Sequence, residues 1–283
     1  MRQSELSLTA GTTLLPAKLW LAAALLLVLG VELAALASGG EAAWLAPLRY
    51  IAATLTLCPV IAVVGAKRPQ HTAWTFVVVS LWGIVALPAV TTLGMQRSSQ
   101  FVISDARGLF LWALVLLGLA NYLPTKFWLA ALFYSGMQVC LLMPHLPLAN
   151  RLGGPFPWVG LVGGVVAVMI AWHVSRRPRP ACQKYDLLWL DFRDAFGLLW
   201  GLRVQERINA AAVMYGWDLE LTWGGFRKKS DGSAKVQFAE ESSSSTDDES
   251  DLRERSLKQT LQGLLRRFVS GDWIAARLSK GLD

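Results

Sequence analysis

The sequence predicts an all-α polytopic membrane protein: six transmembrane helices, then a mostly helical cytoplasmic C-terminal tail with a small β-hairpin. Three observations predict this class. Of 283 residues, 54% are hydrophobic and 17% charged, where a soluble domain carries about 25% charged residues. The charge is unevenly spread: residues 1–174 hold nine Lys or Arg and four Asp or Glu, and residues 175–283 hold eighteen and sixteen. The charge-poor part also breaks into continuous apolar runs near the 17–25 residues that a spanning helix needs.

Residues 1–18 read as a cytoplasmic N-terminus, and the six spans follow at 19–37, 43–66, 73–94, 108–123, 127–143 and 157–174. The runs are continuous, not alternating, so they read as helices and not barrel strands. The fourth run, 108–123, is the short one, at about 24 Å for 1.5 Å per residue. Trp20, Trp44, Trp74, Trp128, Trp158 and Trp172 fall near span ends, where an indole keeps its N–H wet and its ring buried. Trp82 and Trp112 lie deeper and read as packing residues.

Basic residues orient the bundle. Arg2, Lys18, Lys67, Arg68, Lys126, Arg176, Arg177 and Arg179 fall on one side; Arg97, Arg107 and Arg151 fall on the other, with Arg49 near it. Basic residues are retained on the cytoplasmic side, so both termini are expected there. A Leu-, Ala-, Gly- and Trp-rich chain of this kind suits the bacterial inner (plasma) membrane. A competing expectation is that Ala35-Leu36-Ala37 ends a cleaved leader over 1–37. Against it, the apolar run exceeds the usual h-region of about 7–15 residues and Glu32 interrupts it.

The first two spans carry an acid and a base. Glu32 lies near the outer end of the first and Arg49 near the outer end of the second, joined by the short turn "SGGEA" at 38–42. A turn that short makes the helices antiparallel neighbours. Each residue then lies about 9–10 Å below the surface at 1.5 Å per residue. A lone charge at a span centre costs roughly 2.5–3.5 kcal/mol, so an ion pair clamping the hairpin is the expectation. A wet groove and a proton relay are the alternatives.

Other intramembrane features are fewer. Pro59 follows Cys58 in the second span, and proline removes a backbone donor and kinks a helix. A metal site would want a second soft ligand, and none stands at ligand spacing. Gly160 and Gly164 form a G-x-x-x-G that lets a neighbouring helix approach; packing inside the bundle is preferred to dimerisation. Cys58, Cys140 and Cys182 have no paired spacing, so no disulfide framework is read. His71 and His173 both lie at the inner interface, but two span-end histidines do not by themselves ask for haem. No cofactor is expected.

The tail divides into three. Residues 175–238 hold a juxtamembrane helix and the hairpin, and Arg176, Arg177 and Arg179 in "SRRPRP" read as an anchor for anionic cytoplasmic-leaflet lipids, each basic residue contributing about 1 kcal/mol. Residues 186–215 read as a helix with Leu188, Phe192, Ala195, Phe196 and Leu199 on one face, while Trp189, Leu190 and Trp200 point elsewhere; it is expected to lie on the membrane surface or to pack under the bundle. "WDLELTW" at 217–223 alternates like a strand, and Asp231-Gly232 with "AKVQF" suggests the hairpin return. Residues 239–251, "AEESSSSTDDESD", read as a disordered acidic linker. Residues 252–283 read as a basic amphipathic helix: Leu257, Leu261, Leu264, Leu265 and Phe268 share a face, with Arg253, Arg255, Lys258, Arg266 and Arg267 around it. Such a helix suits a cytoplasmic protein partner, a membrane surface or its own domain.

These features exclude more than they assign. The near balance of charge in the tail argues against nucleic acid. No phosphate-binding Gly loop and no H-E-x-x-H occurs, and Asp191, Asp194 and Glu206 on the tail helix have no His or Cys beside them. The expected function is a non-enzymatic membrane anchor or scaffold that presents its tail to a partner. A small-solute or ion transporter or channel comes second, and a membrane-embedded enzyme third.

Overall fold

The computed structural model describes residues 11–39, 42–68, 71–94, 103–145, 156–177, 185–228 and 246–280. They are mostly helical, with one small two-stranded sheet, and they group into two units. One is a membrane unit running from Thr13 through the last apolar helix and including Phe196–Leu198; the other is a tail unit of residues 11–12, 185–195 and 199–280.

The membrane unit holds α1 (Leu15–Ala37), α2 (Leu45–Leu55), α3 (Cys58–Val64), α4 (His71–Gly94), α5 (Asp105–Tyr122), α6 (Trp128–Leu142) and α7 (Phe156–Arg176). Four stretches are long and apolar enough to cross a membrane: Leu15–Ala37, Leu45–Val64, Ala73–Gly94 and Phe156–Arg176. The fourth and fifth expected spans correspond to α5, of 18 residues, and α6, of 15. Both fall below the roughly 20 residues that a bilayer core asks for. A 3-10 turn, Met143–His145, continues α6.

The second expected span is broken, not merely bent. α2 ends at Leu55 and α3 begins at Cys58, because Pro59 has no N–H to give the turn before it. Across Thr56 and Leu57 the bonds tighten to i→i−3, from Thr56 N to the Ala53 carbonyl and Leu57 N to the Thr54 carbonyl. This pair forms the centre of the unit: 72% of its apolar window is buried, against 17–28% for the other three. α1 and α4 pack on both halves, α6 on α2 and α5 on α3. The outward residues of the other helices, such as Leu26, Phe76, Leu109 and Met169, are apolar and exposed, as a lipid-facing surface requires. Trp112, expected to pack inside, is exposed among them, since α5 turns Gly108, Leu111, Val115 and Gly118 inward instead.

The tail unit is built on α8 (Asp186–Met214), which breaks its helical path at Gly197. Strands β1 (Leu219–Thr222) and β2 (Gly225–Lys228) pair antiparallel with Thr222 opposite Gly225. The hairpin therefore turns at Trp223-Gly224; the expected turn at Asp231-Gly232 and "AKVQF" lie outside the described residues. The overlooked signal is the Gly-Gly pair at 224–225, since glycine supplies the backbone that tight hairpin turns demand. Two strands alone are marginal, and α8 supplies what they lack. Asn209 accepts from the Leu221 N–H at 2.8 Å and donates to its carbonyl at 2.9 Å, as a neighbouring strand would. Asp186 accepts from the Phe226 N–H at 2.7 Å.

The last two helices are α9 (Thr246–Leu265) and α10 (Gly271–Lys280). The expected acidic linker thus ends at residue 245, and 246–251 begin a helix. Residues 239–245 lie outside the described residues. The apolar face at Leu257, Leu261, Leu265 and Phe268 is buried by the chain itself. Phe268 meets Phe192 and Trp200 of α8 edge to face, at 5.4 and 4.8 Å between ring centres. Between α9 and α10, Val269 bridges Thr12, and the Ser270 N–H donates to the Gly11 carbonyl at 2.7 Å.

Candidate functional site

The turn after α1 is set by sequence. Ser38 folds back on the last helical turn, its N–H and hydroxyl both donating to the Ala34 carbonyl at 3.0 and 2.9 Å. α2 then starts at Leu45, so α1 and α2 run side by side. Their facing sides carry Glu32 and Arg49, and the structure brings the two together. Arg49 Nε donates to Glu32 Oε1 and Nη2 to Oε2, each at 2.9 Å. Both carboxylate oxygens and two guanidinium donors are used in this fork, the strongest geometry such a pair has. Glu32 is 2% exposed, while the Arg49 side chain keeps 28%. The arginine thus stays partly exposed while the acid that its head holds is buried.

Tyr50 and His145 line the same end of the α1–α2 pair. Tyr50 is fully buried and its hydroxyl donates to the Val85 carbonyl of α4 at 3.1 Å. The buried His145, from the 3-10 turn after α6, meets the Tyr50 ring edge to face at 5.3 Å. Among the described residues Val28, Val31, Ala52, Leu141, Pro144 and Pro157 line a small, partly open cavity with Glu32, Arg49 and His145, with about 10 Å³ for a water centre. One buried water needs about that volume. The site is an ion pair in an apolar seat, suited to locking three segments together.

A second polar cluster forms where the central helix breaks. The Thr56 carbonyl accepts from the Tyr134 hydroxyl and from Gln138 Nε2, each at 2.8 Å. Both donors come from α6, so the break in α2–α3 is tied to that helix. The sequence reading missed these donors. Their signal was available: Gln138 is an amide inside the apolar run 127–143, and polar residues inside a membrane need partners. Cys58 is a free, buried thiol at this break.

No protein-family model, curated protein or solved structure matches the chain.

The remaining predicted residues fall elsewhere. Gly160 and Gly164 face α6, where a Cβ at Gly160 would lie 3.2 Å from Cys140 Cβ and 3.3 Å from the Met137 carbonyl oxygen. Arg176 lies over the Trp172 ring at 4.0 Å, and Arg177 reaches the His173 ring nitrogen at 3.0 Å. Arg179 lies outside the described residues. In the tail unit Asp191 accepts from Arg277 Nε at 2.8 Å and Asp194 from Arg193 Nη2 at 2.9 Å, while Glu206 is exposed. Among the described residues no three His, Cys, Asp or Glu side chains converge as metal ligands would.

Proposed function

We propose that the chain is a six-span, non-enzymatic anchor of the bacterial inner membrane, with both termini cytoplasmic, that presents its tail unit to a protein partner. The observation that carries this reading is closure. Glu32 and Arg49 satisfy each other, Tyr134 and Gln138 satisfy the carbonyl at the helix break, and the cavity beside the ion pair has room for about one water. A solute path would instead want broken helices opening on a cavity. α5, and α6 with its 3-10 turn, complete six crossings in a thinned bilayer. The bridge between Thr12 and Val269 supports an even number of crossings, because it ties the chain just before α1 to the chain after α9.

Arg176, Arg177 and Arg179 serve anionic lipid at the cytoplasmic leaflet. The partner meets the outer face of α9, where Arg255, Lys258, Arg266 and Arg267 are exposed, and should be acidic there. A transporter reading draws on the broken α2–α3 helix, but the carbonyl at its break is occupied by Tyr134 and Gln138.

The test is purification in mild detergent with identification of bound proteins, beside solute uptake by proteoliposomes. A stoichiometric partner, lost when Arg255, Lys258, Arg266 and Arg267 are changed to Gln, is the expected result. Uptake above that of empty liposomes would overturn the reading in favour of transport. Sequencing of the purified N-terminus should find residues before Ala37, since cleavage there would strip Arg49 of Glu32.

A further inference from the structure

His145 is a buried histidine beside a buried ion pair. It ends the 3-10 turn Met143–His145, two residues past the fifth expected span at 127–143. Its ring stands edge to face on Tyr50 and lines the same small cavity as Glu32 and Arg49. An imidazole has a free pKa near 6.5, so it is the side chain at this seat that gains a charge in mild acid.

The groups around it decide what that charge does. α1 contributes Glu32, whose two carboxylate oxygens are already in the fork to Arg49. α2 contributes Arg49 and Tyr50, and α7 contributes Pro157. The positive charge of Arg107 in α5 reaches the neighbouring Tyr50. Among the described residues Glu32 is the one carboxylate lining the cavity. A protonated His145 therefore adds a second cation to a seat whose single anion is engaged. Burial, with the Arg49 charge beside it, pushes the His145 imidazole down to about 4. The stability gained by burying it neutral is full above about pH 6.5 and is lost as pH falls toward about 4. The part of the seat that can yield is the turn. Tyr50 is pinned to the Val85 carbonyl, and Glu32 and Arg49 stand inside α1 and α2. The turn has three residues and the poorer hydrogen bonds of a 3-10 helix.

We infer that His145 is a proton-operated latch: neutral, it holds the 3-10 turn against α1 and α2 in the Glu32–Arg49 seat, and protonated, it leaves the seat and releases the turn. The proton comes from water and stays on the imidazole, so raising the pH closes the latch again. The latch stands on the membrane unit alone. It depends neither on a partner for the tail unit nor on the side of the membrane that the seat faces.

The test uses the full chain in nanodiscs and has two readouts. The first is the titration of the carbon-13-labelled imidazoles by NMR, assigned with His71→Gln and His173→Gln. A His145 midpoint below about pH 5 is expected, and one at or above it overturns the latch. The second is amide exchange of residues 141–145 in the native chain, divided by that in His145→Gln to cancel the intrinsic effect of pH. A group whose pKa moves from about 6.5 to about 4 favours release about tenfold more at pH 5.5 than at pH 7.5, so this ratio should rise about tenfold between the two. A ratio that stays constant overturns the latch even where the midpoint is low, because the proton then moves nothing. Should His145→Gln fail to fold, exchange of residues 111–115 in α5 of the native chain replaces it as the reference, with the same two outcomes.

Discussion

A lone charge at the centre of a span costs roughly 2.5–3.5 kcal/mol on insertion scales, and the two-bond fork to Arg49 answers the buried Glu32. Removing Arg49 leaves Glu32 buried and unanswered, at about 3–5 kcal/mol, while removing Glu32 leaves the part-exposed Arg49, which costs less. Glu32→Gln or Arg49→Met should each lower the melting temperature in detergent, followed by tryptophan fluorescence. Glu32→Leu with Arg49→Met should recover most of the loss, because an apolar replacement of a buried pair is often neutral. Losses that simply add would mean that the fork contributes little. Arg277 in α10 is the tail unit's counterpart: 1% exposed, 2.8 Å from Asp191 Oδ2 and stacked 3.6 Å over Trp273. Its flat fork has no lysine equivalent. Arg277→Lys and Asp191→Asn should both speed trypsin cleavage within α9 and α10, and an unchanged rate in either would deny the pair a structural role.

α6 and α7 show what an element-scale contact demands. Their close approach runs along Gly160 and Gly164, and the Met137 backbone stands 3.3 Å from where a Gly160 Cβ would be. Gly160→Val should push the helices apart and cost about 1–3 kcal/mol, as overpacking does, read as a lower melting temperature of the monomer. If that variant kept its stability but lost an oligomer, the glycines would serve dimerisation instead. α8 turns on another glycine. Gly197 has φ +76° and ψ −165°, a region that only glycine occupies readily, and a Cβ there would lie 2.6 Å from the Asn121 carbonyl oxygen. Gly197→Ala should cost at least about 1–3 kcal/mol. An alanine variant as stable as the native chain would show that α8 can run straight.

At the scale of the whole molecule, the number of crossings fixes the side on which each loop lies. The four long apolar helices and the six expected spans are both even in number, and the Thr12–Val269 bridge agrees with either. The loop between α5 and α6 separates the two. With six spans, Lys126→Cys in a chain lacking its native cysteines should react with an impermeant maleimide only from the cytoplasmic side. Reaction from the outer side would leave α5 and α6 as a hairpin that does not cross.

Much was legible in the sequence, for reasons that differ by element. Continuous apolar runs and the charge-poor first 174 residues determine the membrane class, since no other solvent tolerates such surfaces. The five-residue turn at 38–42 puts Glu32 and Arg49 at one depth by helix geometry alone, and Pro59 marks the break in the second span because it lacks an N–H. The alternation at 219–222 marks a strand by its period of two. What the tertiary structure decided lies between elements distant in sequence. Trp189 looked off the apolar stripe, yet it is buried because the hairpin brings Trp223 edge-on to it at 6.3 Å. The apolar face of the last helices suited a partner, a membrane surface or its own domain alike, and it is covered because Phe268 finds Phe192 and Trp200. Periodicity tells which face of an element must be buried. Only packing tells what buries it, because apolar surfaces attract without direction and shape chooses among them.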